Sequence, residues 1–206
     1  MITCIAFDDD ELVPAVAEVP ADVGPARATV ADVVAGIVDD PRHRRMITVT
    51  FRDLEHLHAF AAATGMGRRA DVVVTEDHVV RGSDWLVRRW ERGPVLKHVA
   101  LAKRADGLTL AEMLAAWRTH GGSVQRPGEA AITIPDEVRG LAYVQHHPRV
   151  EDGHEWLYDA ITEVWFDDVH ALRARADWFA TGPGGGAQAL FRQSWFLALR
   201  EEQLLP

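Results

Sequence analysis

Two segments of the chain concentrate the residue types that perform acid–base chemistry. Residues 143–147 read Tyr-Val-Gln-His-His, and residues 160–166 read Ala-Ile-Thr-Glu-Val-Trp-Phe. An imidazole has an ordinary pKa of about 6.5 and can both accept and donate a proton at neutral pH. We therefore predict that His147 is a general base oriented by Glu163, and that Tyr143 donates to a developing enolate oxygen.

Strand periodicity predicts that these side chains share one face of a sheet. Val144, Val164 and Phe166 are apolar, so we expect them to lie beneath helices. The alternate positions then face a common pocket, and they are Tyr143, Gln145, His147, Glu163 and Trp165, joined by His98 on an earlier strand. His120, a competing base, and Trp117, a pocket wall, complete the predicted site.

Each of these residues also has a structural interpretation. A buried histidine is often a hydrogen-bonded core residue, and a tryptophan at helical spacing is often core. Glu163 on an apolar face is costly to bury unless it is partnered, so it is either a pocket residue or an ion paired with arginine. The spacing of His146, His147 and His154 could suit a metal, but the residues between His147 and His154 include Pro148 and Gly153 and are predicted to form a loop, so we expect no metal there. We also expect no cofactor.

Composition narrows the class of partner. The chain has 206 residues, 48% of them hydrophobic, and a formal net charge of −9. This charge would repel a phosphate backbone or an anionic lipid surface, so we expect neither nucleic acid nor a membrane as a partner. The partner expected for the predicted pocket is a small hydrophobic molecule. The single cysteine, Cys4, and an acidic start without a secretory pattern predict a cytoplasmic protein.

The elements that must hold the candidate residues are clearest in the second half. Alternating or apolar runs predict four strands, at 95–103, 139–147, 160–166 and 194–202. Thr109 and Glu112 have capping-box spacing at the start of a helix that ends near Gly121, and Asp167 is the predicted cap of a second helix. The order β-α-β-β-α-β predicts a ferredoxin-like sheet with both helices on one face.

The first half echoes the second. When the sequence is compared with itself at an offset of 115 residues, a strand and the apolar face of the following helix match a second strand and helix. The matching residues are Val49, Phe51, Asp53 and Leu57 in the first half and Val164, Phe166, Asp168 and Leu172 in the second. We expect further strands at 2–7 and 72–74, a helix at 29–38, and a connector helix that Ser83 caps and that runs through Trp90. The second strand of this copy has no clear signal.

A sheet with helices on one face leaves its other face bare, and the natural cover is the other copy. We therefore predict an α+β fold of two tandem ferredoxin-like repeats that form an intrachain dimeric α+β barrel. The degenerate repeat, with the connector helix, spans 1–93, and the second spans 94–206. The chain would then be a monomer or a homodimer.

Several short motifs occur in order between Lys97 and Phe179. They are Lys103-Arg104, Leu-Thr-Leu at 108–110, Trp117-x-x-His120-Gly121, the run 143–147 and the run 158–166. In this set the chain resembles the EthD family of dimeric α+β barrel proteins, although Ala142 and His146 replace the family's usual Arg and Asn. The resemblance implies a superfamily of cofactor-free cyclases, isomerases, dehydratases, small monooxygenases and haem-degrading enzymes, among which the fold does not choose.

The candidate residues predict acid–base catalysis, and together with the resemblance they imply a cofactor-independent lyase or isomerase, of dehydratase or cyclase type. Its substrate would be a small hydrophobic aromatic or polyketide-like molecule, converted by His/Glu acid–base catalysis. A cofactor-free monooxygenase is one alternative, and oxygen dependence would separate it. A non-catalytic small-ligand-binding or accessory protein is another, and haem binding, which a Soret band would reveal, is a third.

Overall fold

The chain forms a mixed α and β structure around a closed barrel. The computed structural model describes residues 1–19, 24–65, 72–119, 123–181 and 189–205. Its elements are β1 (Ile2–Phe7), α1 (Leu12–Glu18), β2 (Arg27–Val33), β3 (Arg45–Phe51), α2 (Leu54–Thr64), β4 (Val72–Arg81), α3 (Ser83–Arg88), β5 (Val95–Arg104), α4 (Leu110–Arg118), β6 (Ser123–Val124), β7 (Ile132–Thr133), α5 (Asp136–Arg139), β8 (Ala142–Pro148), β9 (Ala160–Phe166), α6 (Val169–Thr181) and β10 (Phe191–Leu205).

Eight antiparallel strands close the barrel in the order β1-β3-β2-β10-β5-β9-β8-β4. The first half of the chain supplies the adjacent strands β4-β1-β3-β2, and the second half supplies β10-β5-β9-β8. Two seams therefore join the halves, where β2 pairs with β10 and β4 pairs with β8. The short strands β6 and β7 form a separate hairpin.

The first half differs from its sequence-based prediction at one element. The predicted helix at 29–38 is wrong, because Arg27–Val33 is a strand bonded on both sides, to β3 and β10. This is the second strand that the sequence did not reveal, and the helix before it is α1. The spacing of apolar residues in 29–38 is compatible with a helix or a strand, and backbone pairing with two neighbouring strands stabilises the strand.

Helix starts were predicted only in part. The Thr109 and Glu112 capping box is confirmed. The cap of α6 is Asp168 rather than Asp167, because its Oδ1 accepts from the N–H groups of two residues that follow it. Asp53, 115 positions earlier, caps α2 in the same way. Ser83 is not a cap, since α3 has no side-chain cap bond and follows Gly82 at φ 78°.

Helices cover the outer face of the barrel. Val49 and Phe51 of β3 pack with Phe60 of α2, and Val164 and Phe166 of β9 pack with residues of α6. The inner face collects apolar side chains from both halves, which fill one end of the barrel; they include Ile5, Val73, Leu101, Ile161, Leu197 and Tyr158. Among the described residues, no helix combines the length and the apolar composition needed to cross a lipid bilayer.

Candidate functional site

The barrel sheet divides the predicted site into two groups. Tyr143 lies opposite Val164, whereas Val144 lies opposite Glu163, and directly opposed residues point to the same side of a sheet. Glu163 and Trp165 therefore face the barrel interior, as predicted. Tyr143, Gln145 and His147 face the helices, so the prediction of one shared pocket is wrong.

The phase of β8 was misjudged because both of its faces are buried. Its inner face carries Val144 and His146, and its outer face carries Tyr143, Gln145 and His147. The inner face combines the apolar Val144 with His146, whereas the outer face is polar although helices cover it, so the expectation that apolar residues lie beneath helices selects the wrong side. The orientation depends on register with β9 instead.

The outer group forms a hydrogen-bonded relay beneath α4. Trp117 stacks on His147 at 4.9 Å between ring centroids, and Arg118 Nε donates to His147 Nδ1 at 3.4 Å. His147 Nε2 therefore donates to Gln145 Oε1 at 3.0 Å, and Gln145 Nε2 donates to Tyr143 Oη at 3.1 Å. Burial, with Arg118 nearby, lowers the pKa of His147 to about 4, so this ring is neutral at pH 7.

A cavity of about 70 Å³, which we call the outer pocket, lies between this face of the sheet and the helices. Its walls are aromatic, from Trp117, Phe179, Phe191 and Phe196. Its polar lining consists of three guanidinium groups and several hydroxyls, those of Arg81, Arg139, Arg175, Ser123, Tyr143, Thr162 and Ser194. No carboxylate is among the described residues that line it.

Arg175 is the charge that distinguishes the outer pocket. It is 5% exposed, and it donates from Nη1 to the Val138 carbonyl at 2.7 Å and from Nε to His98 Nδ1 at 3.4 Å. No carboxylate in the described part of the chain lies within ion-pair distance. Burial lowers the pKa of Arg175 to about 10, so it remains a cation at neutral pH. An uncompensated buried cation is costly and favours binding of an anion.

The prediction that His98 faces the same pocket as Glu163 is wrong, because His98 lies opposite Val164. It adds a second donor on the outer face of the sheet. Its ring is fully buried between Phe179 and Phe196, at centroid distances of 5.5 and 5.3 Å. Since Nδ1 accepts from Arg175, Nε2 carries the hydrogen, and this buried atom has no hydrogen-bond partner among the residues that the structure describes. Burial and Arg175 hold the pKa of His98 well below its ordinary value.

The barrel interior holds a different arrangement, which we call the polar ring. It takes one side chain from each of the eight strands, in barrel order Thr3, Thr50, Thr29, Glu201, Lys97, Glu163, His146 and Asp77. Lys97 Nζ donates to Glu163 at 2.5 Å and to Glu201 at 2.7 Å. The ring is hydrogen-bonded throughout, except between the two threonines of β3 and β2.

His146 bridges two carboxylates in the polar ring. Its Nδ1 lies 2.9 Å from Asp77 Oδ1 and its Nε2 lies 3.0 Å from Glu163 Oε2. Although burial opposes the charged form, these carboxylates raise the pKa of His146 to about 10. Burial also opposes ionisation of Glu163, but Lys97 and His146 hold its pKa well below the ordinary value. These groups are paired ions at pH 7, not acids or bases poised near neutrality.

Comparison with known proteins gives no assignment: no family model matches the sequence, and no curated protein is significantly similar to it. The resemblance of residues 97–179 to the EthD family therefore stays a prediction. The roles of the site residues have to be argued from their geometry.

The sequence-based prediction of the site did not include Lys97, His146 or Arg175. Lys97 gave a usable signal, because it shares strand parity with the apolar Val99, where a lysine implies a buried counterion. The sequence contains no signal that Arg175 is buried, since charged residues are common on helices. His120 lies outside the described residues, so its role as the competing base stays a prediction. The described residues hold no group of three or more His, Cys, Asp or Glu side chains placed to bind a metal ion.

Proposed function

We propose that the protein is a cofactor-independent lyase or isomerase whose outer pocket stabilises the enolate of a small aromatic or polyketide-like substrate. The observation that carries this proposal is the buried Arg175 guanidinium, which lacks a counterion among the described residues. An enolate oxygen beside Arg175 would supply that charge in a site that excludes water. The aromatic walls would contact the apolar body of the substrate.

Tyr143 is the proposed proton donor. Burial raises the pKa of its phenol, so it is protonated at neutral pH and can donate to an enolate or to a departing hydroxyl group. Gln145 donates a hydrogen bond to the Tyr143 oxygen, and His147 donates one to Gln145. Gln145 and His147 are therefore positioning residues in this proposal. A β-dicarbonyl substrate has acidic C–H bonds, so stabilising its enolate lowers the activation free energy for removal of the C–H proton.

Two histidines are candidates for the proton acceptor. His147 stays the sequence-based prediction, but both of its nitrogens already have partners. His120 is the second candidate, and its position in the chain lies between Trp117 and Ser123, which both line the outer pocket. Glu163 lies on the opposite face of the sheet and takes no part in this proposal.

Deuterium exchange at C2 of ethyl benzoylacetate, followed by NMR, tests the proposal without knowledge of the natural substrate. We expect the protein to accelerate exchange, and Arg175→Gln to reduce the accelerated rate by about 10²–10³-fold, as loss of an oxyanion donor does. Arg173→Gln, an exposed position on the same helix, is the matched control and should exchange at the original rate. Equal rates for the two variants would contradict the proposal.

The same preparation separates the two candidate bases. His120→Ala should abolish exchange if His120 accepts the proton, while His147→Ala should leave a measurable rate because it only loosens the Gln145 and Tyr143 relay. The reverse result would restore His147 as the base. Binding of the ester without exchange in the original protein would instead indicate a ligand-binding protein.

Cofactor-free oxygenation of an activated phenol is a second candidate. It is favoured by the composition of the outer pocket, whose described lining offers hydrogen-bond donors and cations but no carboxylate base. A phenolate needs stabilisation rather than deprotonation by the protein, and it can itself supply the electrons that reduce oxygen. Oxygen consumption with a phenol substrate would distinguish this reaction from enolate chemistry.

We also propose that residues 1–93 and 94–206 are ferredoxin-like repeats of an intrachain dimeric α+β barrel. The support is that each half runs β-α-β-β-α-β, apart from the β6–β7 hairpin, α3 and α5. Each half also places its fourth, first, third and second barrel strands side by side. This topology agrees with the EthD resemblance of the second half.

A further inference from the structure

The barrel interior contains a cavity of its own, which the proposed chemistry does not use. Its volume is about 320 Å³, within the range of small-molecule sites. It lies at the end of the barrel where α3 contributes to the lining. The outer pocket and this lumen cavity share no lining residue, because the sheet separates them.

The carboxylates around the lumen cavity already have their hydrogen bonds. Both oxygens of Glu163 accept from the polar ring, at 2.5 and 3.0 Å. Glu201 accepts from Lys97 and Thr29 through Oε1 and from Trp165 Nε1, at 3.0 Å, through Oε2. Asp77 accepts from the ring through both oxygens as well. The lumen carboxylates therefore have no need of a cation from solution.

The unpartnered polar atoms of the lumen cavity are of a different kind. The Arg89 side chain is 5% exposed, and its Nε is buried with no hydrogen-bond partner among the described residues, 3.9 Å from the nearest Glu201 oxygen. Thr48 is 8% exposed, and its buried Oγ1 also has no partner in the described part of the chain. Both residues line the cavity. A guanidinium N–H only donates and a hydroxyl can donate, so a ligand at this point must accept hydrogen bonds.

Among the described residues around the lumen cavity, cationic groups outnumber carboxylates. Arg27, Arg89 and His146, together with Lys97 of the polar ring, face the three carboxylates, and both nitrogens of His146 donate to carboxylates. Apolar side chains, including Leu86, Val144 and Trp165, form another part of the lining. We propose that the lumen cavity binds a small organic monocarboxylate, with its oxygens on Arg89 and Thr48 and its apolar body against Trp165.

Titration with benzoate tests this proposal by calorimetry and by NMR of the Trp165 indole N–H, assigned with Trp165→Phe. We expect saturable binding that shifts the Trp165 signal and persists in Arg175→Gln, which removes the cation of the outer pocket. Arg89→Gln should raise the Kd at least tenfold, as loss of a charge-assisted hydrogen bond does. Thr48→Val should raise it about fivefold, and the exposed Arg88→Gln should not change it.

Benzamide is the uncharged control, and it should bind at least tenfold more weakly than benzoate. Equal affinity of the two compounds, or an unchanged Kd in Arg89→Gln, would overturn the proposal. Binding that is lost in Arg175→Gln but unaffected by Arg89→Gln would place benzoate in the outer pocket. That result would also overturn the lumen site, while leaving the proposed enolate chemistry intact.

Discussion

Two buried cations of this protein have opposite surroundings. Lys97 lies between two carboxylates, and Glu163 and Glu201 raise its pKa despite complete burial. Arg175 has a carbonyl, an imidazole and an aromatic ring around it, and no described carboxylate. A compensated charge is consistent with a structural role, whereas an uncompensated one lowers stability unless a ligand completes it. This contrast is why we assign chemistry to the outer pocket.

His146 should make stability depend on pH in the alkaline range. Its pKa is about 10 in the folded protein and about 6.5 when unfolded. Its contribution is therefore complete below pH 6.5 and is lost as the pH rises through 10, with a slope of up to about 1.4 kcal/mol per unit. Free energies of unfolding from urea titrations at several pH values will measure this decline.

His146→Gln should remove that decline and lower the free energy of unfolding at pH 7 by about 3–5 kcal/mol, because Asp77 and Glu163 lose their shared cation. The exposed His58→Gln is the control and should keep the original pH dependence. An alkaline decline that persists in His146→Gln would show that another group causes it.

At the scale of the elements, the connection between α5 and β8 requires a glycine. Gly140 separates them at φ 75°, and an added Cβ would lie 2.5 Å from Val164 Cγ1 and 2.8 Å from the Trp165 carbonyl oxygen. Close approach to β9 therefore requires a residue without a side chain. This contact lies next to the β8–β9 pairing in which Tyr143 is opposite Val164 and His146 is opposite Ile161.

Gly140→Ala should lower the free energy of unfolding by more than the cost of placing a non-glycine residue at a positive φ. A non-glycine residue in this region costs about 1–3 kcal/mol, and the contacts with β9 add to that cost. Gly153→Ala is the matched control, because Gly153 has φ 71° but open space around its Cβ position. Equal losses in the two variants, measured by chemical denaturation, would contradict a role for the close approach.

At the scale of the molecule, the two halves share one sheet and one ring of polar side chains. The seams β2–β10 and β4–β8 carry backbone pairing between the halves, and the polar ring crosses both, through Thr29 with Glu201 and Asp77 with His146. Unfolding of one half would leave edge strands of the other unpaired and would separate buried charges. We therefore expect the halves to unfold together.

The distribution of tryptophan allows a direct test, because all seven tryptophans lie at or after position 85. Fluorescence reports the second half and the connector, whereas far-UV circular dichroism reports the whole chain. The two denaturation curves should coincide. Phe60→Ala, in the core beneath α2, should lower the fluorescence midpoint too, by a stability loss of about 3–5 kcal/mol. A dichroism change that precedes the fluorescence change would indicate independent halves.

Local patterns in the sequence determined much of the architecture. β1 and β9 match their predicted bounds, the α4 capping box is present, and Asp53 and Asp168 start corresponding helices. The inward side of β9 was predictable because its alternate residues, Val164 and Phe166, are uniformly apolar and pack on one helix. Such features depend on residues only a few positions apart.

Tertiary structure alone decided the phase of β8, the strand at Arg27–Val33 and the partners of each buried charge. Lys97 and Glu201 are 104 positions apart, and they meet only because β5 and β10 are neighbours in the closed barrel. When both faces of a strand are buried, polar residues occur on each, and register with distant strands determines which one faces inward. The sequence therefore indicated which residues could perform chemistry, and the barrel determined which of them are together.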